Sequence, residues 1–186
     1  MIRLFAAIAL PEEIAEGLTR RQQGLPGADW RPPEAFHITL RFFGEVAEDV
    51  ADDLDAELSV VGGAAMTLAL AGVGAFQDGA DVHAVWAGVA ENPALRRLAA
   101  RCESAARRAG LASDRRTWKP HVTLAYLRRA DPARVGAWIQ GHNLLKSPPF
   151  EVGRFGLYSS RLGGEGARYT LERAYRLAPT PPPRSP

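Results

Sequence analysis

The chain has 186 residues, enough for one domain with a sizeable core or for two small lobes. Apolar types make up 46% of it, which argues against disorder, and no apolar run approaches the roughly 20 residues of a membrane helix. The net charge is only +2, and Lys119 and Lys146 are the only lysines among 23 basic residues. A GC-rich coding bias would give the same arginine preference, so charge alone names no partner.

Arg3 to Leu10 is predicted as a short strand. Arg3 is its only charge and Pro11, Glu12 and Glu13 follow at once, which does not suit a signal peptide. A cytoplasmic location is expected. Pro11 suits the first turn of a helix over Glu12 to Gln23, whose leading acids sit well at the positive helix end; Gly24, Pro26 and Gly27 break it. Trp30-Arg31-Pro32-Pro33 is an extended lead, because residues before proline avoid helix. It enters a strand over Phe36 to Phe43, closed by Gly44. Val50, Leu54, Leu58 and Val61 then recur at helical spacing as far as Gly62-Gly63. The acidic residues from Glu45 to Asp55 share that helix and read as its solvated face, not as a metal cluster.

Met66, Leu68 and Leu70 alternate with small or polar residues, as in a half-buried strand. Val82 to Val89 is another strand, after the Asp78-Gly79 turn. Pro93 opens a helix through Leu95, Leu98, Cys102 and Ala106 to Gly110. Cys102 is the only cysteine and lies on that helix's apolar stripe. It is expected as a buried small hydrophobe, with no disulfide within the chain and no cysteine-based metal site. Pro120 leads into a strand from His121 to Leu127, and Asp131-Pro132 caps and starts a helix through Val135 and Ile139. Two late strands, Phe150 to Ser159 and Arg168 to Leu177, flank the turn-rich Leu162-Gly163-Gly164-Glu165-Gly166. Residues 179–186 form a proline-rich tail expected to be disordered, leaving 1–178 as a single domain. The element order points to an α+β or α/β mixture with many short antiparallel options.

One segment is repeated. His37-Ile38-Thr39-Leu40 and His121-Val122-Thr123-Leu124 stand 84 residues apart, each on a strand entered through proline. Strand side chains alternate faces, so His37 shares a face with Thr39, and His121 with Thr123, while the aliphatic residues face a core. If the two polar faces meet, one neutral imidazole can take a proton from an attacking oxygen and one imidazolium can protonate a leaving oxygen. The two hydroxyls can donate to phosphate oxygens. A lone His-x-Thr would more often be structural; two matched copies suggest an internal duplication.

With these motifs in view, the chain resembles the two-histidine (2H) phosphoesterases, and among them the RNA 2′,3′-cyclic phosphodiesterases, also called 2′-5′ RNA ligase-like proteins. The likeness runs through Trp30 and Pro33, His37 to Val46, Trp86 to Val89, Lys119 to Leu124, Ser160 to Leu162 and Gly166 to Tyr169. It implies a bilobal α+β fold, with two pseudo-symmetric, mainly antiparallel lobes and outer helices around a central cleft. The implied reaction is metal-independent, cofactor-free hydrolysis of a ribose 2′,3′-cyclic phosphate to a 2′-phosphate, on RNA 3′ ends or cyclic nucleotides. His37 and His121 would be the acid–base pair, and Thr39 and Thr123 the phosphate-binding hydroxyls. Which histidine is the base does not follow from sequence; the assignment leaned to is His121 as base and His37 as acid.

One departure stands out. Family members often follow the second motif with Ala-Arg, whereas here Ala125 is followed by Tyr126. Tyr126 could bond the phosphate or stack on a base, and Arg128, Arg129 or Arg41 could supply charge. Alternation puts Arg41 on the His37 face and turns Phe42 to the core, where packing and base stacking are equally open. His83 and His142 read as surface residues, without metal-ligand spacing to His37 or His121. No phosphate-cradling loop ending in Gly-Lys-Ser/Thr and no serine nucleophile elbow is present. The alternatives are 2′-5′ ligation at the same site, or a non-catalytic RNA- or nucleotide-binding module; a monomer and no membrane partner are expected.

Overall fold

The computed structural model describes residues 1–163 and 166–179. The proline-rich tail lies outside the described residues save Pro179, as do Gly164 and Glu165 of the turn-rich segment. The chain runs β1 (Ile2–Ala9), α1 (Glu12–Thr19), β2 (Asp29–Trp30), a single 3₁₀ turn (Pro33–Ala35), β3 (His37–Val46) and α2 (Glu48–Ser59). It continues with β4 (Met66–Leu68), β5 (Leu70–Asp78), β6 (Asp81–Val89), α3 (Pro93–Arg108), β7 (His121–Tyr126) and α4 (Pro132–His142). The last strands are β8 (Phe150–Val152), β9 (Arg154–Gly163) and β10 (Gly166–Arg176). The expected α+β class is what the chain adopts.

The four predicted helices are the four observed, and their ends have local causes. Asn92 caps α3 by accepting from the amides of Ala94 and Leu95, and Asp131 caps α4 by accepting from Ala133, each followed by proline. α1 is shorter than predicted, ending at Thr19 rather than Gln23. Two strands were missed, β2 and β5, and Phe150 to Ser159 divides into β8 and β9 at Gly153. β5 shows no alternation in sequence because Gly74 stands under the indole of Trp86: a Cβ there would lie 2.3 Å from the ring.

One four-stranded sheet has the order β10-β9-β1-β3, and a second has β2-β7-β6-β5; β4 and β8 pair separately. All pairs within these sheets are antiparallel. The two histidine strands occupy equivalent places. Against β1, Ala9 pairs with His37, Ala7 with Thr39 and Phe5 with Phe42; against β6, Gly88 pairs with His121, Trp86 with Thr123 and Ala84 with Tyr126. In both cases the register slips by one residue after the threonine, so Leu40 and Leu124 are bulges.

The bulges decide which side chains face the core. Ile38, Leu40, Val122 and Leu124 are each at most 2% exposed, within one hydrophobic cluster that includes residues of both sheets. α3 packs against β3 of the first sheet and against α2, although it follows β6 of the second. Just beyond α1, Gln22 donates to the carbonyls of Arg31 and Leu124, and Trp138 of α4 donates to that of Gln23, tying that segment to the second sheet. Among the described residues no helix is long and apolar enough to cross a membrane.

Leu40→Ala and Leu124→Ala should each cost about 2–5 kcal/mol, because truncation of a buried leucine loses transfer free energy and leaves a cavity. Urea unfolding followed by circular dichroism would measure the loss.

Candidate active site

His37 and His121 each open their strand, and each is held in the same way by the backbone two residues upstream. His37 Nδ1 lies 2.7 Å from the carbonyl oxygen of Ala35, and His121 Nδ1 lies 2.7 Å from that of Lys119. A carbonyl only accepts, so Nδ1 carries the hydrogen in both rings. The neutral ring then offers an Nε2 lone pair, and the charged ring an Nε2–H. Each imidazole is thereby set to act as base or acid through one defined atom.

Aromatic walls hold the rings. His37 lies 4.9 Å from Phe5 and meets the Tyr169 ring edge-on at 5.1 Å. His121 meets Phe76 edge-on at 4.7 Å, with Trp86 at 6.3 Å. Burial in these settings opposes the charged form. The His37 pKa is lowered to about 4, first by burial, against the opposing bond to Ala35, and then by the charges of His121 and Arg31. His121 is also lowered, by burial first and by the Lys119 charge, with its Lys119 carbonyl bond opposing. The charge of His121 is felt at His37, and β3 and β7 pack together. Thr39 and Thr123 follow on the same faces, paired with Ala7 and Trp86; Trp118 donates to the Thr39 carbonyl at 3.0 Å.

Two expectations from alternation are corrected by the bulge at Leu40. Arg41 pairs with Ala6, on the core side of β1, and is turned away from the His37 face towards α3. There its guanidinium bonds Glu103 and the Phe42 carbonyl, lies 3.5 Å from Asp114 Oδ2 and 2.7 Å from the Ala112 carbonyl. Its charge is therefore neutralised. Phe42 was expected in the core and is instead 47% exposed, its ring 5.7 Å from Phe5 on the histidine side. Phe43 takes the buried position. Tyr126 is the equivalent of Phe42 and is 45% exposed. Arg128 and Arg129 are exposed beyond the end of β7.

The remaining candidates are settled by their contacts. His83 is exposed on β6 and stacks near Phe76, while His142, the last residue of α4, is half-buried and donates from Nδ1 to the Trp138 carbonyl. Cys102 is fully buried, and burial pushes its thiol up to about 12. Among the described residues no group of three or more His, Cys, Asp or Glu side chains is placed to hold a metal ion.

One group was missed. Arg31 is buried, 6% exposed, with its amide donating to the Leu124 carbonyl at 2.8 Å. Its Cζ lies 5.6 Å from the Tyr126 ring centroid and 5.9 Å from that of Tyr169. Between Trp30 and two prolines it looks like any solvated linker arginine; the pairing of β2 with β7 and the Tyr169 ring of β10 enclose it.

The family model of the 2′-5′ RNA ligase superfamily matches residues 10–164. A protein of Archaeoglobus fulgidus named RNA 2′,3′-cyclic phosphodiesterase is 30% identical over 94% of this chain and 99% of its own. One of Escherichia coli with the same name is 34% identical over 94% and 96%. The crystal structure of Escherichia coli LigT complexed with 3′-AMP superposes with a TM-score of 0.76 at 30% identity, covering 95% of this chain and 98% of that one.

In the ligand-free protein, an NMR titration of the imidazole nitrogens should find His37 titrating near 4 and His121 below 6.5. Both rings should carry hydrogen on Nδ1 when neutral; an Nε2–H neutral tautomer at either position would contradict the geometry.

Proposed function

The chain belongs to the 2′-5′ RNA ligase superfamily, and on that premise we propose that it is an RNA 2′,3′-cyclic phosphodiesterase working without a metal or cofactor. The observation that carries this reading is the matched pair of imidazoles, each with Nδ1 bound to a backbone carbonyl, with the charge of His121 felt at His37. Relatives over nearly the whole chain bear that activity as their name, and the LigT complex with 3′-AMP supports a nucleotide-sized ligand.

In this reading water attacks phosphorus while His121 Nε2 takes its proton. The bond from phosphorus to the 3′ oxygen breaks, and His37 Nε2–H protonates that oxygen, leaving a 2′-phosphate and a free 3′-hydroxyl. Thr39 and Thr123 donate to the non-bridging oxygens, where negative charge grows. Phe42 and Tyr126, exposed at equivalent positions, offer faces for base stacking. His37 must gain its proton from a pKa of about 4 in the free protein. The bound anion assists, because a negative phosphate favours the imidazolium.

An oligonucleotide ending in a 2′,3′-cyclic phosphate, incubated with EDTA, should lose the cyclic end and yield a 2′-phosphate. A joined 2′-5′ product would instead support ligation, and no turnover would support a binding module. His37→Ala and His121→Ala should each lower kcat by roughly 10² to 10⁴-fold, the contribution typical of a general acid or base. Near wild-type turnover in either would remove that histidine from the chemistry.

The pH dependence follows from the direction of the shifts. One histidine must be neutral and the other charged, and both pKa values lie below 6.5 in the free protein. The bell of kcat/KM should therefore centre on the acid side of 6.5. The bell of kcat, reporting the complex, should move to higher pH because the bound anion raises both values.

A further inference from the structure

Arg31 and Ser159 are the only polar residues in the buried set among the described residues. Burying a guanidinium is costly unless its charge is compensated, and its location spans the site. Its backbone is bonded to β7 beside Thr123 and Tyr126, whereas the Tyr169 ring it faces belongs to β10 of the other sheet and is edge-on to His37. The two tyrosine faces offset part of the burial cost by cation–π attraction.

The site needs such a charge. Both imidazoles favour the neutral form before substrate binds, so at neutral pH neither offers a full positive charge to an incoming phosphate. Arg41 is neutralised by acids on the far side of its strand, and Arg128 and Arg129 are exposed past the end of β7. Lys119 lies on the His121 side, its Nζ 4.0 Å from the Trp86 ring centroid. Arginine keeps its charge at every accessible pH and presents a planar fork suited to phosphate oxygens.

We infer that Arg31, held between the rings of Tyr126 and Tyr169, is the permanent cation on the His37 side of this site and anchors the substrate's phosphate there. The substrate rests on the function proposed above; the anchoring is testable apart from turnover. Because the Tyr126 ring is at the guanidinium, an arginine placed at 126 would bring its charge to nearly the same point from the neighbouring strand.

The experiment uses the full chain and inorganic phosphate as probe, with binding followed by phosphorus NMR and folding checked by circular dichroism. Arg31→Met should weaken phosphate binding about 10- to 100-fold, the loss expected for a charge-assisted contact. It should also raise the His37 pKa measured by NMR, since a nearby positive charge is removed; Arg31→Lys should leave that pKa close to wild type. The double variant Arg31→Met with Tyr126→Arg should recover most of the affinity. A folded Arg31→Met with wild-type phosphate affinity and an unmoved His37 would overturn the inference. If Arg31→Met does not fold, Arg31→Lys decides, because it keeps the charge and loses the fork: binding weakened several-fold supports the anchor, and unchanged binding refutes it. Wild-type protein that binds phosphate through Arg31 but leaves cyclic ends intact would sink the proposed reaction and spare this inference. Turnover indifferent to Arg31, with unaltered phosphate binding, would do the reverse.

Discussion

A one-residue slip in hydrogen-bond register, made twice, governs what this protein can present to a ligand. At Leu40 and at Leu124 the strand inserts an extra residue against its neighbour. Without the slip, Arg41 and Ala125 would share the histidine face, and Phe42 and Tyr126 would turn inward. With it, the leucine and the residue after it both oppose one core-side partner, and an aromatic ring returns to the polar side. A β-bulge bends a strand and re-aims its side chains, and both histidine strands use it at the same point. The bulge therefore makes the two halves equivalent in three dimensions where their sequences, Arg-Phe against Ala-Tyr, have diverged.

The electrostatics follow from packing histidines among aromatic rings. Phe5 and Tyr169 around His37, and Phe76 and Trp86 around His121, exclude water and so favour neutral imidazoles. Burial of this kind keeps two like charges from being forced together in the empty site. In the proposed reaction it would tie the arrival of a proton to that of the anionic substrate, because a bound anion favours the imidazolium. The carbonyls of Ala35 and Lys119 leave Nε2 as the exchanging atom whatever the charge.

Much of this was legible in the chain because its signals are local. Proline after Asn92 and Asp131, the helical spacing of Val50 to Val61, and the repeated His-x-Thr-Leu all act over a few residues, and they located the four helices and both histidine strands. Alternation failed where its premise of a regular ladder failed. Nothing in Leu40-Arg41-Phe42-Phe43 marks an inserted residue, so Arg41 and Phe42 were assigned to each other's faces. β5 was hidden because Gly74 is small to admit an indole from β6, a requirement set by a residue twelve positions away. Arg31 was passed over for the same kind of reason, since its burial depends on a strand nearly a hundred residues later.

The order of strands in the first sheet has a consequence for biosynthesis. β1 pairs with β9, so residues 2–9 wait for residues 154–163 before their second neighbour exists, whereas β5, β6 and β7 meet close in sequence. Non-local pairing is slow to form, and a ribosome releases the second sheet's strands well before it releases β9 and β10. The half carrying His37 is thus completed last, and a nascent chain stays without its paired histidine faces until nearly all of it has emerged.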